Sequence, residues 1–343
     1  MPPTPPAATR DPLPFIAGIV AAMFLLVAPW LLPRFVPDFW VSIIAEMLIW
    51  GLFASSANLL LGYTGLLSFG QSLYFGFGAY GVAFAIHNFK LGVVPAFFIG
   101  VAAATAVAAV AGFFAVRLTW HYFAIITVVF SLIFYLIAVG WKTVTGGDDG
   151  MSFALPPIAR IGDTEFTLLD ATFQYYFILT IVAACFFLQW IVLRSPLGMA
   201  FKAVRENATR AGLIGFNPYL VRLMSFIIAG LLAGVAGALF ALFSRYASAH
   251  YMYWTVSGEA VIWTIVGGTG TLFGPVVGAA VLTVLREELS TVWEHYLIVV
   301  GVIVIVVVTF VPKGILGSIA AWRVARRATP GGPAATGGKG TQE

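Results

Sequence analysis

The sequence predicts an all-α fold: a polytopic membrane bundle of about eight spans plus one broken or re-entrant segment. Composition is the first observation behind this. Of 343 residues, 61% are hydrophobic and 9% are charged, against roughly 25% charged in soluble domains. Mean hydropathy is +0.98. The second observation is run length. Apolar stretches continue for about twenty residues, the length a helix needs to cross hydrocarbon. The third is the absence of alternation. Only helices and closed barrels satisfy the backbone in lipid, and barrel strands would alternate apolar and polar residues over about ten positions.

Taken in order, residues 1–12 (MPPTPPAATRDP) are proline-rich and expected to be disordered. The membrane domain covers 13–317. No small-residue cleavage site leads from the first apolar run into a soluble domain, so 13–32 reads as a retained helix and not as a signal peptide. Further spans are expected at 41–61, 66–87, 92–116, 121–140, 172–193, 219–246 and 296–312. The run 259–285 is interrupted by Gly267, Gly268, Gly270, Gly274 and Pro275. Glycine permits the sharp turn and proline starts a second helix. Residues 318–343 form a basic, flexible tail.

Basic residues set the orientation. Arg194, Lys202, Arg205, Arg210 and Arg222 crowd one segment, and Lys313, Arg323, Arg326 and Arg327 follow the last span. Both segments are therefore expected in the cytoplasm. The loop 141–171 carries Asp148, Asp149, Asp163, Glu165 and Asp170 against Lys142 and Arg160, which fits the outside. An even number of crossings must then separate 194–222 from the C-terminus. The run 259–285 accordingly enters and leaves on one side, or forms two half-spans, and the N-terminus lies inside.

Two short strings echo each other: GYTGLLSFG at 62–70 and GGTGTLFG at 267–274. Broken helices at matching positions point to a transport path, although glycine-rich similarity this short also arises by chance. The candidate path residues are Asn58, Gly62, Thr64, Gly65 and Gln71 at the first break, with Gly267, Gly268, Thr269 and Gly274 at the second. Gly76, Gly78 and Gly81, and Gly230, Gly234 and Gly237, recur at helical spacing and are expected to bring backbones together.

Glu46 falls inside a span, where a carboxylate facing lipid costs at least about 2.5–3.5 kcal/mol. It either pairs with a base on a partner subunit or belongs to the path. Glu259 opens the broken run and fits the outer interface. His87, His121, His250 and His295 fall near span ends. Arg245, Tyr246, Tyr251, Tyr253 and Trp254 read as an outer interfacial belt. Cys185 sits alone in an apolar run as a small buried or lipid-facing residue. No metal-ligand cluster and no nucleophile motif occurs, and the tail string PAATGGKG fails the phosphate-loop pattern.

The run 201–218, FKAVRENATRAGLIGFNP, gathers charge in a chain that otherwise lacks it. Ser195-Pro196 supplies a cap and a first helical position. Met199, Ala200, Ala203, Val204, Ala211 and Ile214 form an apolar side, and Lys202, Glu206 and Arg210 stack opposite them at i, i+4. Gly212 and Gly215 offer a stop, and Asn217-Pro218 opens the next span. One helix over about 199–214 results. It is either a solvated loop that fixes topology or a docking helix for a cytoplasmic partner.

The run SPLGMAFKAVRENATRAGLIGFNPYLVRLMSFIIAGLLAGVAGAL resembles LivM-type permeases of branched-chain amino acid ABC importers. NLLLGYTGLLSFGQSLYFGFGAY, TGGDDG and GGTGTLFGPVVGA are similar to further motifs of that family, so the resemblance covers about 41–317. After TGGDDG the chain reads MSFALPPIARIG and lacks the family's usual Gly-Ile-Pro turn.

The resemblance implies a type II ABC importer permease-like fold and a place in the bacterial inner membrane. The implied partners are a LivH-like second permease, two cytoplasmic ATPase subunits and a periplasmic solute-binding protein, with membrane lipid around them and no nucleic acid. It assigns ATPase coupling to Arg205, Glu206, Asn207, Ala211 and Gly215. No cofactor is expected on this chain, since ATP would be bound by the partner subunits. A urea or amide permease of the same class, or an ion-coupled secondary amino acid transporter, remains as an alternative. An enzyme is disfavoured by the lack of any acid/base or metal constellation.

Overall fold

The structure is a computed structural model and describes residues 23–31, 39–118, 120–161, 164–292, 295–310 and 314–318. The expected disorder of 1–12 and the tail beyond 318 lie outside the described residues. Of the first expected span, 13–32, residues 23–31 are helical (α1).

The helices that follow are α2 (Phe39–Asn58), α3 (Gln71–His87), α4 (Val93–Ala115), α5 (Trp120–Gly140), the single turn α6 (Lys142–Thr145) and α7 (Ala171–Arg194). Next come α8 (Pro196–Glu206), α9 (Ala208–Leu213), α10 (Pro218–Ser244), α11 (Trp254–Gly267), α12 (Gly274–Val292) and α13 (Tyr296–Phe310). Strands are minor. β1 (Met151–Ser152) pairs antiparallel with β4 (Tyr246–Ala247), and β2 (Ala159–Ile161) with β3 (Thr164–Phe166). Among the described residues, five helices are long and apolar enough to cross a membrane: Phe39–Thr64, Val93–Ala115, His121–Gly140, Ala171–Arg194 and Pro218–Ser244.

Small residues build the centre. α3 packs on both α4 and α10 because glycines let the backbones touch. A Cβ on Gly78 would overlap the Gly234 carbonyl, one on Gly81 would stand 2.6 Å from Gly100 Cα, and one on Gly237 would overlap the Phe75 carbonyl. Tyr74, Phe123 and Phe226 fill the remaining core, with Phe226 edge-on to both other rings at 5.6 and 5.8 Å. α2 is the most enclosed long helix. Buried Ser55 ties it to α7 by donating to Gln189 Oε1 at 2.8 Å.

Two expectations change in detail. The span placed at 66–87 begins as helix only at Gln71. Gly65 takes a left-handed conformation (φ 73°) that ends the preceding helix, and 65–70 runs as an irregular linker. The interrupted run 259–285 resolves into α11 and α12, parted at 268–273. These helices are antiparallel, and a Cβ on Gly278 or Gly267 would overlap the facing carbonyl of Trp263 or Gly274.

Of the expected aromatic belt, Arg245 and Trp254 are exposed, whereas Tyr246, Tyr251 and Tyr253 are half-buried against the bundle. Beyond Arg245, whose φ of 58° ends α10, β4 and a tight turn over Ala249–Met252 fold back onto the bundle. The Met252 carbonyl accepts from Ser131 Oγ (2.9 Å) and Ser72 Oγ (3.3 Å). Tyr251 packs on Phe240 and Phe75, and Tyr253 on Tyr135. Those serines need partners away from water, and the loop brings them a carbonyl. His87, His121, His250 and His295 are exposed near element ends, and Cys185 is buried.

Candidate functional site where the glycine turns meet the charged run

α2 does not stop at Asn58. It continues as a wide π-type turn over Leu59–Thr64, in which Thr64 Oγ1 donates to the Leu60 carbonyl at 2.8 Å. Such turns are uncommon and concentrate at functional positions. Asn58 is fully buried and faces the second break. Its Nδ2 donates to the Thr271 carbonyl, and its Oδ1 accepts from Gly270 N, both at 2.8 Å. One side chain thus clamps the two glycine breaks together. The close approach requires Gly62, where a Cβ would come within 2.5 Å of Gly270 N and overlap Asn58 Oδ1.

Gly65 and Gly270 hold the same place in the two echoing strings and share one backbone state, with φ of 73° and 75°. The second break is capped by Thr271, whose Oγ1 accepts from Gly274 N (3.1 Å) and donates to the Gly268 carbonyl (2.8 Å). Gly268 sits at φ 125° against Gly314 of the short helical turn 314–318. Thr269 is exposed and makes no side-chain hydrogen bond among the described residues. Gln71 is fully buried. Its Oε1 accepts weakly from Ser56 Oγ (3.4 Å), and its Nε2 has no partner among the described residues.

The charged run joins the same place through Arg205. Its Nη1 donates to the Gly62 carbonyl, its Cγ lies against Gly65, and its guanidinium approaches Gly270. A cavity of about 160 Å3 opens beside it, lined by Thr64, Gly65, Leu66, Val204, Arg205 and Arg222. Arg222 Nε is buried there with no partner among the described residues. Residues expected to couple to an ATPase and residues expected to line a path are thus neighbours here.

The single helix expected over 199–214 is two. Asn207 is extended (φ −160°, ψ 105°) and caps α9 by accepting from Arg210 N at 2.9 Å. An asparagine followed by a fresh helical turn is a cap signal that pattern matching on charge overlooks. Glu206 and Arg210 therefore belong to different helices and make no ion pair with each other. With Ala203, Asn207, Ala211 and Ile214 they line an open cavity of about 350 Å3.

The break also turns part of the expected apolar side outward. Ala200, Val204 and Ala211 are buried, whereas Met199 is 61% and Ile214 72% exposed. Ser195 occupies the cap position of α8, but its hydroxyl donates back to the Val192 carbonyl instead. Gly215 ends the run at φ 96° with open space around its α-carbon. Asn217 caps α10 as expected, accepting from Tyr219 N and Leu220 N.

Residues 39–308 match the family model for the branched-chain amino acid transport system permease component. The chain belongs to this family. It is 28% identical over 316 residues to the Escherichia coli K12 protein described as high-affinity branched-chain amino acid transport system permease protein LivM, covering 87% of this chain and 74% of that one. The Salmonella typhimurium LivM is 26% identical, with 86% and 73% covered. The Salmonella typhimurium permease LivH is 29% identical over a shorter stretch, 44% of this chain and 48% of its own length. No solved structure matches the chain. Membership in this family and the apolar helices make the chain a multi-pass membrane permease whose relatives are transport proteins. The motif that carried the sequence resemblance lies within the matched residues.

Proposed function

We propose that this chain is the LivM-type permease subunit of an ABC importer that moves branched-chain amino acids inward across a bacterial inner membrane. A LivH-like permease would be its partner in the membrane. Two cytoplasmic ATPases would supply energy, and a periplasmic binding protein would supply solute. The basic residues around 194–222 support a cytoplasmic position for that end of the bundle.

The observation that carries the mechanism is the reach of Arg205. The loop bearing α8 and α9 is joined through this side chain to the first glycine break, and the guanidinium reaches toward the second. On its outer side it presents Glu206 and Arg210 around an open cavity, with exposed Leu213 and Ile214 at the tip. A cytoplasmic ATPase gripping that surface would move Arg205, and with it the turns at Gly62–Gly65 and Gly267–Gly274 that close this end of the path. A guanidinium suits such a linkage, since its planar donors hold a carbonyl in a fixed orientation.

Co-purification of the tagged chain from native membranes, paired with radiolabelled leucine uptake, tests this. Glu206→Lys is expected to leave the folded permease in the membrane while uptake and ATPase retention fall together, by about ten-fold or more for a reversed charge at a docking surface. Wild-type uptake by E206K, or a chain that isolates without any ATPase, would refute the coupling role.

A further inference from the structure

We infer that Glu46 and the aromatic rings around it form a subsite in the permease for an amino acid in transit, taking its ammonium group on the carboxylate and its apolar side chain on the rings. This deepens the importer reading and rests on it.

Glu46 lies about 10 Å along α2 from Phe39, at 1.5 Å per residue, and therefore well inside the span. It is only half-buried. Its one hydrogen bond among the described residues comes from Trp50 Nε1, at 2.9 Å, to Oε1. A carboxylate offers about four acceptor positions, so most of its capacity is uncommitted. No lysine, arginine or histidine pairs with it among the described residues.

The surroundings are aromatic. Trp50 stacks on Phe75 (5.2 Å, 9°) and lies 4.8 Å from Phe240 and 5.4 Å from Trp263. Tyr251 meets Phe240 edge-on at 5.3 Å. Phe75 and Trp263 are buried behind, whereas Trp50, Phe240 and Tyr251 are half-buried like Glu46. One partly open surface therefore combines a carboxylate with an indole, a phenyl and a phenol. That combination suits an ammonium, which the carboxylate and the ring faces both attract. The same rings accept a branched aliphatic chain.

A comparison within the chain supports this choice. Glu259 stands four residues before Trp263, as Glu46 stands four before Trp50, and Trp50 and Trp263 touch. α2 and α11 run in the same direction here, since Thr264 donates to the Ala54 carbonyl and Asn58 to that of Thr271. Glu259, however, has the Arg286 guanidinium close enough to act on it. Of the two related carboxylates, only Glu46 has no cation supplied by the described chain.

The test uses the intact transporter in its own membranes, with radiolabelled leucine at a concentration that saturates the binding protein. Uptake, ATP hydrolysis and recovery of every subunit are measured together. Glu46→Gln is expected to lower maximal leucine uptake about ten-fold, the loss expected for one charge-assisted contact, with subunit recovery unchanged. Glu46→Asp is expected to restore part of it, and Trp50→Phe to cost less than E46Q. Wild-type uptake in E46Q would overturn the subsite. So would loss of the partner permease from the E46Q complex, which would mean that a base on that subunit pairs with Glu46. If E46Q fails to accumulate, E46D and W50F carry the same reading, and wild-type uptake by both would overturn it. Failure of the importer reading looks different: the wild-type chain would yield no ATPase or no ATP-dependent leucine uptake.

Discussion

The two glycine breaks share a sequence pattern and differ in how they are held. In the first, a π-type turn leads into Gly65, and Asn58, Thr64 and Gln71 are all buried. In the second, two positive-φ glycines, Gly268 and Gly270, make a tight reversal with Thr269 exposed and Phe273 56% exposed. The first break is gripped from outside by Arg205, whereas the second is capped by its own Thr271 and borrows Asn58 from the first. Equivalent glycines thus keep one backbone state while the side chains around them divide the work. One turn is tied to the loop helices, and the other follows it through a single asparagine.

Substitutions can break or sharpen that division. The largest effect is expected for Gly267→Val. Its side chain would overlap the backbone of Gly274 and Gly278, and overpacking against backbone costs about 3 kcal/mol or more. The purified protein should lose most of its thermal stability in detergent and its yield, which a melting assay would show. Next is Asn58→Ala. It leaves the Thr271 carbonyl and Gly270 N–H without their partner, a loss of about 1–3 kcal/mol for each buried group. Accelerated proteolysis at 268–273 would reveal the second turn coming loose, and unchanged protection there would refute the clamp.

The smallest effect separates the two turns. Gly65→Ala and Gly270→Ala each force a side chain into the left-handed region at about 1–2 kcal/mol. Only at Gly65 would the new Cβ press on Arg205, 3.1 Å from its Cγ. Similar melting temperatures for the two variants, with transport-linked ATP hydrolysis impaired only in Gly65→Ala, would sharpen the asymmetry. Equal impairment in both would erase it.

Much of the bundle was legible because lipid leaves few options. Apolar run length placed most helices, and the glycines of 267–274 announced the parting of α11 and α12. Gly215 and Asn217 behaved as local rules demand. What escaped was long-range or depended on one cap. Nothing local says that Asn58 reaches across to Gly270, or that Arg205 turns in to Gly62, since those partners are separated by 212 and 143 positions. Asn207 is a motif residue and also a cap, and the cap is what divides the run into two helices. Aromatic residues after a span suggest an interface, but that rule does not say that Tyr251 and Tyr253 also pack on rings of the bundle. The buried hydroxyls of Ser72 and Ser131, which draw that loop inward, carry no such sequence signature.

The wide turn at Leu59–Thr64 has a consequence for motion. A helix holding a surplus residue can hand it on, as a crease travels along a carpet, without breaking many bonds at once. Tightening this turn to ordinary helical geometry would rotate one side of α2 against the other by about 100° per residue. A pull on Gly62 from Arg205 is applied inside that turn. The same helix carries Glu46 further along. α2 is therefore geared: a small displacement where the loop helices attach can become a swivel of the face that bears the carboxylate.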